Sequence, residues 1–204
     1  MKKLVTILFL LTLWVTTFSQ KKYDSYESSY FNKEYDLSLS YKSELDFTLW
    51  ITAPSFDKLH SKDGVLSLSF QRFDNFTNAL IEAKSKYIEW VKTAKENNVN
   101  DLLKHMELSN KSKIDVGFVY GEMQFNFDIT LKYDFMILQK GDKIKYLLLI
   151  KTGEVVSSSN QFMKSDGLAI VLSSEKEIND FLDKISLDKI RKITSKPKSE
   201  ELFK

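Results

Sequence analysis

Ser157, Ser158, Ser159, Asn160 and Gln161 stand in a row inside the stretch KTGEVVSSSNQFMKSDG, residues 151–167. Such a density of small hydroxyl and amide groups suits one of two jobs, nucleophilic chemistry or polar contact with a partner from a strand connection. A serine becomes a nucleophile only when a base takes its proton, and the chain holds two histidines, His60 and His105. Neither is followed by histidine, aspartate or glutamate at the i+4 spacing that puts two ligands on one helix face. Each reads as a structural histidine. No Gly-x-Ser-x-Gly elbow accompanies them, so the sequence assigns no catalytic residue, no metal ligand and no cofactor.

Lys151-Thr152-Gly153, Ser158-Ser159-Asn160 and Ser55-Phe56-Asp57-Lys58 match, triplet by triplet, the elements that penicillin-binding enzymes and serine β-lactamases use. Their order does not match, because Lys-Thr-Gly precedes Ser-x-Asn here. Ser55 follows Pro54 in a polar turn, where those enzymes place their serine at the start of a buried helix, and the chain lacks their large helical half. A chain rich in lysine and serine produces such triplets by chance.

Two carboxylates across a cleft could hydrolyse a glycosidic bond. Glu122, Asp128 and Asp134 are the acids placed for it, but they alternate with apolar residues and read as one solvated strand face. Only Trp50 is left as a sugar platform, since Trp14 falls in the N-terminal leader and Trp90 on a helix stripe. The phenylalanines offer a different site. Phe125, Phe127, Tyr133 and Phe135 share the odd-numbered face of a long segment, where they either fill the core against helices or line a pocket for a lipid or other small apolar ligand.

Residues 1–19 read as a signal peptide. Lys2 and Lys3 precede an apolar run over 4–15, and Thr17-Phe18-Ser19 supplies small residues for a cut before Gln20. That run is shorter than the roughly 20 residues a membrane crossing needs, and no later segment reaches that length. The expectation is an exported protein, periplasmic or extracellular. Its loss of two lysines lowers the cations from 30 to 28 against 28 acids, a neutral balance that argues against a nucleic-acid partner. With no cysteine there is no disulfide, no thiol nucleophile, no zinc–thiolate site and no lipid-anchored cysteine after the signal.

The positioning elements follow from periodicity. Residues 20–34 are polar and tyrosine-dotted, which predicts a flexible N-terminal arm. Alternation predicts strands at 37–41 and 45–51. Both keep their apolar residues on odd numbers, which requires a connection of odd length, Lys42-Ser43-Glu44, with Tyr41 opposite Leu45 and Leu39 opposite Phe47. A third strand carries Leu66, Leu68 and Phe70. A helix capped at Asp74 or Asn75 buries Phe76, Leu80, Ala83, Tyr87 and Ala94 and stops at Asn97-Asn98. A short helical turn is expected at 102–106. Residues 123–137 read as one strongly bent strand, with a hidden loop of odd length near 126–128 or 130–132 as the alternative. The turn Lys140-Gly141-Asp142-Lys143 then switches the parity and predicts Ile137 opposite Tyr146, Phe135 opposite Leu148 and Tyr133 opposite Ile150. A buried strand at 168–172 and a helix capped by the box Ser174-Glu175-Lys176-Glu177 complete the domain.

The expected fold is α+β, a strongly bent, mostly antiparallel sheet of seven to eight strands packed on two main helices in the order βββα-(α)-ββββ(β)-α. One domain covers 35–195, with a βββα duplication conceivable between about 35–110 and 111–195, and 196–204 is a charged tail. The expected role is a non-catalytic binding or interaction module of the bacterial envelope or secreted space. A carrier of an apolar ligand and a hydrolase with a dispersed site are its rivals.

Overall fold

A computed structural model describes residues 20–56 and 62–195; the leader at 1–19, the 57–61 segment with Lys58 and His60, and the tail at 196–204 lie outside the described residues. The chain runs β1 (Lys21–Ser28), β2 (Lys33–Ser43), β3 (Asp46–Ala53), β4 (Gly64–Ser69), α1 (Phe70–Glu96), β5 (Leu102–His105) and β6 (Lys113–Tyr120). It continues through β7 (Glu122–Thr130), β8 (Lys132–Lys140), β9 (Lys143–Lys151), β10 (Val155–Val156), β11 (Lys164–Ser165) and β12 (Ala169–Leu172) to α2 (Glu175–Lys184) and α3 (Leu187–Thr194). The fold is α+β with antiparallel sheets. The twelve strands among the described residues exceed the expected seven to eight because edge and two-residue strands carry little periodicity.

A six-stranded sheet runs β1-β2-β3-β4-β6-β7, a four-stranded one runs β12-β9-β8-β5, and β10-β11 form a two-stranded ribbon. The spacing of Phe73, Phe76, Leu80, Ala83, Tyr87 and Ala94 gives α1 one buried stripe, and that stripe lies against strands of both larger sheets. Phe73 and Phe70 meet Phe47 of β3, while Tyr87 and Trp90 meet Phe135 of β8 edge-on at 5.9 and 5.8 Å. The concave side of the sheets is thus occupied by a helix.

Several local expectations are corrected. Helix α1 leaves β4 directly at Ser69, whose extended backbone makes it N-cap without a side-chain bond, so Asp74 and Asn75 are interior residues and Phe70 opens the helix. Its end is as expected, with Asn98 at φ 53 and Val99 N–H donating to Ala94 O at 2.9 Å. The β2–β3 pairing puts Tyr41 opposite Phe47 and Leu39 opposite Leu49; a two-residue turn, Glu44-Leu45, combines with a bulge at Lys42 to preserve the odd parity. The 102–106 segment is not a helical turn, since Leu102–His105 form β5 and close the otherwise open edge of β8. The expected arm at 20–34 is largely strand. Tyr26 is buried beside Tyr35 and Phe181 at 5.4 and 5.0 Å, and a bulge between Lys22 and Asp24 hides the alternation.

The β8–β9 hairpin pairs Ile137 with Tyr146, Phe135 with Leu148 and Tyr133 with Ile150, as the turn chemistry requires. Ser174 caps α2 by accepting from Glu177 N–H at 3.1 Å, although the Glu177 carboxylate reaches back to Ser173 N–H and not to Ser174. The single bent strand expected over 123–137 is corrected to two strands, β7 and β8, which part at Leu131. There the chain leaves the six-stranded sheet for the four-stranded one, and Leu131 N–H donates to Ser112 O at 2.9 Å.

Candidate interaction surface at the β7 edge

In the β6–β7 ladder Ile114 pairs with Ile129 and Val116 with Asn126, so Phe127 and Asp128 together oppose one residue, Asp115. This is a β-bulge, and Asp128 takes the left-handed backbone at φ 61 that it requires. Polar contacts pin it. The Asp115 carboxylate accepts from Asp128 N–H at 2.9 Å and from Arg72 Nη1 at 2.7 Å, and the Asp128 carboxylate meets Lys113 Nζ at 2.5 Å and Arg72 Nη2 at 3.4 Å. The hydrogen-bonded Lys113 ammonium, with the Arg72 charge behind it, holds the Asp128 carboxyl below the usual carboxylate range despite opposing desolvation.

The extra residue inverts the strand. Ile129 and the β8 residues Tyr133, Phe135 and Ile137 face the core, but upstream of the bulge the even positions turn inward and the odd ones outward. Met123, Phe125 and Phe127 are consequently 46%, 40% and 58% exposed, while Gln124 is buried. The expectation that Phe125 and Phe127 share an apolar lining with Tyr133 and Phe135 is corrected on this ground; Tyr133 and Phe135 face the core, where Phe135 also borders a small pocket beside Trp90, and the other two lie on the surface. Gly117 of β6 makes room for this outer row, since a Cβ there would sit 3.0 Å from the Phe125 ring and 2.8 Å from Val65.

The polar row at 157–161 comes to the same place. Ser157 is buried, and its hydroxyl donates to Gln124 Oε1 at 2.8 Å. Ser158 N–H donates to Phe125 O at 2.8 Å, and Asn126 Nδ2 donates to Val156 O at 2.7 Å. Phe162 N–H donates to Asn160 Oδ1 and Met163 N–H to Asn160 O, both at 3.0 Å, which folds the loop tightly. The connection therefore caps the edge of β7, an edge that would otherwise offer free backbone groups. Ser157 and Asn160 are committed to holding it, and the Ser159 hydroxyl, 3.0 Å from Ser157 Oγ, joins them; Ser158, Gln161 and the 80%-exposed Phe162 are exposed. The structure thus joins the polar row to Phe125 and Phe127 in one surface.

The flanking motifs have structural work. Thr152 N–H donates to Leu168 O and Leu168 N–H to Thr152 Oγ1, each at 3.0 Å. Gly167, at φ +108, lies so close that a Cβ would fall 2.1 Å from Gly153 O. Lys-Thr-Gly and Ser-Asp-Gly are two sides of a crossing with no room for a side chain at Gly167.

One polar cluster was not legible from spacing. His105 Nδ1 lies 2.9 Å from Asp134 Oδ1, and Lys151 Nζ meets the other oxygen of this nearly buried carboxylate. The three come from β5, β8 and β9, so only the sheet brings them together. The strand placement of His105 was the missing signal. The carboxylate fixes the imidazole in the manner of a catalytic dyad, but among the described residues no hydroxyl hydrogen-bonds to the ring, and no group of three metal-binding side chains occurs. No described helix is long and apolar enough to cross a membrane.

Compared with known proteins at a significant level, the chain matches no family model, no curated protein and no solved structure.

Proposed function

We propose that this is an exported, non-catalytic interaction module that docks a partner protein through the outer row of β7 and the loop capping it. The observation that carries the reading is the bulge at Phe127 and Asp128. A left-handed non-glycine residue costs on the order of 1–3 kcal/mol, and three large apolar side chains lose their burial with it. A regular ladder would have turned all three residues toward the core, so the bulge exchanges apolar burial for exposure. Recognition supplies a reason, since apolar anchors ringed by small polar groups are the composition of a protein interface. The export part of the proposal rests on the leader-like run at 1–19, and the partner it calls for is one of the bacterial envelope or secreted space.

The test is site-specific photocrosslinking in the native cells, with a benzoylphenylalanine at position 127 and, as control, at the exposed Leu45 turn position. A discrete adduct from 127, absent from 45 and lost on Phe125→Ser, is the expected result. Identical adduct patterns at both positions, or none at 127, overturn the reading. Fractionation of the same cells separates the export part, because unprocessed chain retained in the cytoplasm contradicts it alone.

A further inference from the structure

A second site lies away from the β7 surface, where the C-terminal third of α1 faces β5. The core stripe of α1 ends there in a small residue, Ala94, and an open pocket of about 230 Å³ remains between Trp90, Ala94, Leu102 and Phe135. That is the room of roughly eight waters at about 30 Å³ each, below the roughly 300 Å³ at which drug-sized ligands begin. A lipid tail does not fit. One aromatic ring or one branched aliphatic group does.

The rim carries one charge of each sign, from opposite walls: Glu89 from α1 and Lys104 from β5. Lys104 lays its ammonium 4.3 Å above the Trp90 ring, and neither it nor Glu89 forms an ion pair among the described residues. The neighbouring charges are engaged elsewhere, Lys92 with Glu96 and Lys95 over the Tyr146 ring. An apolar hole of one side chain's size, bordered by an unpaired cation and an unpaired anion, is complementary to a zwitterion with an apolar substituent. We infer that this pocket binds a free α-amino acid with an aromatic or branched aliphatic side chain, its carboxylate on Lys104 and its ammonium on Glu89.

Trp90 supplies the readout. In a Trp50→Phe background it is the sole indole of the chain after residue 19, and its emission is followed during titration with phenylalanine, leucine, phenylpropionate, phenethylamine and benzyl alcohol. The expected result is a saturable change with phenylalanine or leucine, and binding about tenfold or more weaker for the three analogues that lack one or both charges. Lys104→Met and Glu89→Gln, both at exposed positions, should weaken the amino acid by a similar factor. Ala94→Leu should fill the pocket and abolish the response in a protein that still melts cooperatively. No saturable change with any ligand overturns the inference, as does benzyl alcohol binding as tightly as phenylalanine, or wild-type affinity in both charge variants.

Discussion

Phe125, Phe127 and Phe135 occupy equivalent places in the alternation of the sequence, and alanine substitutions at the three separate the bulged ladder from a regular one. Phe135 is fully buried among Tyr87, Trp90 and Tyr146, so its loss leaves a cavity as well as a transfer deficit and should cost about 3–5 kcal/mol. Phe127 is 58% exposed, which leaves about 42% of its surface covered. Scaling a full burial value of about 2.5 kcal/mol by that fraction gives about 1 kcal/mol, with no cavity term because water fills the space. The same scaling for Phe125, 40% exposed, gives about 1.5 kcal/mol. Gln124 supplies the reciprocal control. A regular ladder would leave it solvated and indifferent to alanine, whereas here Gln124→Ala removes the acceptor of the buried Ser157 hydroxyl, which keeps only Ser159 Oγ at 3.0 Å and its N–H, and should cost about 1 kcal/mol. Urea unfolding followed by circular dichroism, with unchanged m values, measures all four. A Phe127→Ala penalty equal to that of Phe135→Ala, together with a silent Gln124→Ala, would refute the inverted register and remove the exposed row on which the interaction surface depends.

Three further outcomes follow from the geometry. Gly167→Ala should abolish folding or cost more than about 4 kcal/mol, since the backbone carbonyl of Gly153 cannot retreat, whereas Gly141→Ala at the open β8–β9 turn should cost about 1–2 kcal/mol; equal melting temperatures for the two would contradict the crossing. Asp134→Ala should destabilise by about 1–3 kcal/mol, because Lys151 and His105 lose the carboxylate that joins β5, β8 and β9, and chemical denaturation showing no change would demote the cluster to surface decoration. Burial raises the phenols of Tyr26, Tyr87 and Tyr133 above the ordinary tyrosine range, so the unfolded chain ionises first as the solution becomes alkaline. Stability that is complete below about pH 10 should then fall by about 1.4 kcal/mol per tyrosine per pH unit, roughly 4 kcal/mol for the three, and phenolate absorbance appearing in the folded protein near pH 10 at all three would refute it.

What could be read in advance divides along a physical line. The β8–β9 hairpin was legible to the residue because its turn glycine and the parity of its strands are two local signals that agree. The stripe of α1 and the Ser174 cap are local in the same sense. Three bulges broke the reading elsewhere, at Tyr23, at Lys42 and at Phe127 with Asp128, and each is a single added residue that reverses a face without changing composition. In the first the alternation of β1 vanished and a strand passed for an arm; in the second two reversals cancelled, so parity survived and register did not. In the third an unbroken odd-numbered run of apolar residues from Met123 to Ile137 concealed the reversal, because both halves of the run are apolar, one for the core and one for the surface. A run of that length is therefore the sequence trace of two opposed demands. The core claims Tyr133, Phe135 and Ile137, and the outward residues upstream, which folding does not need, are where selection for a partner would act.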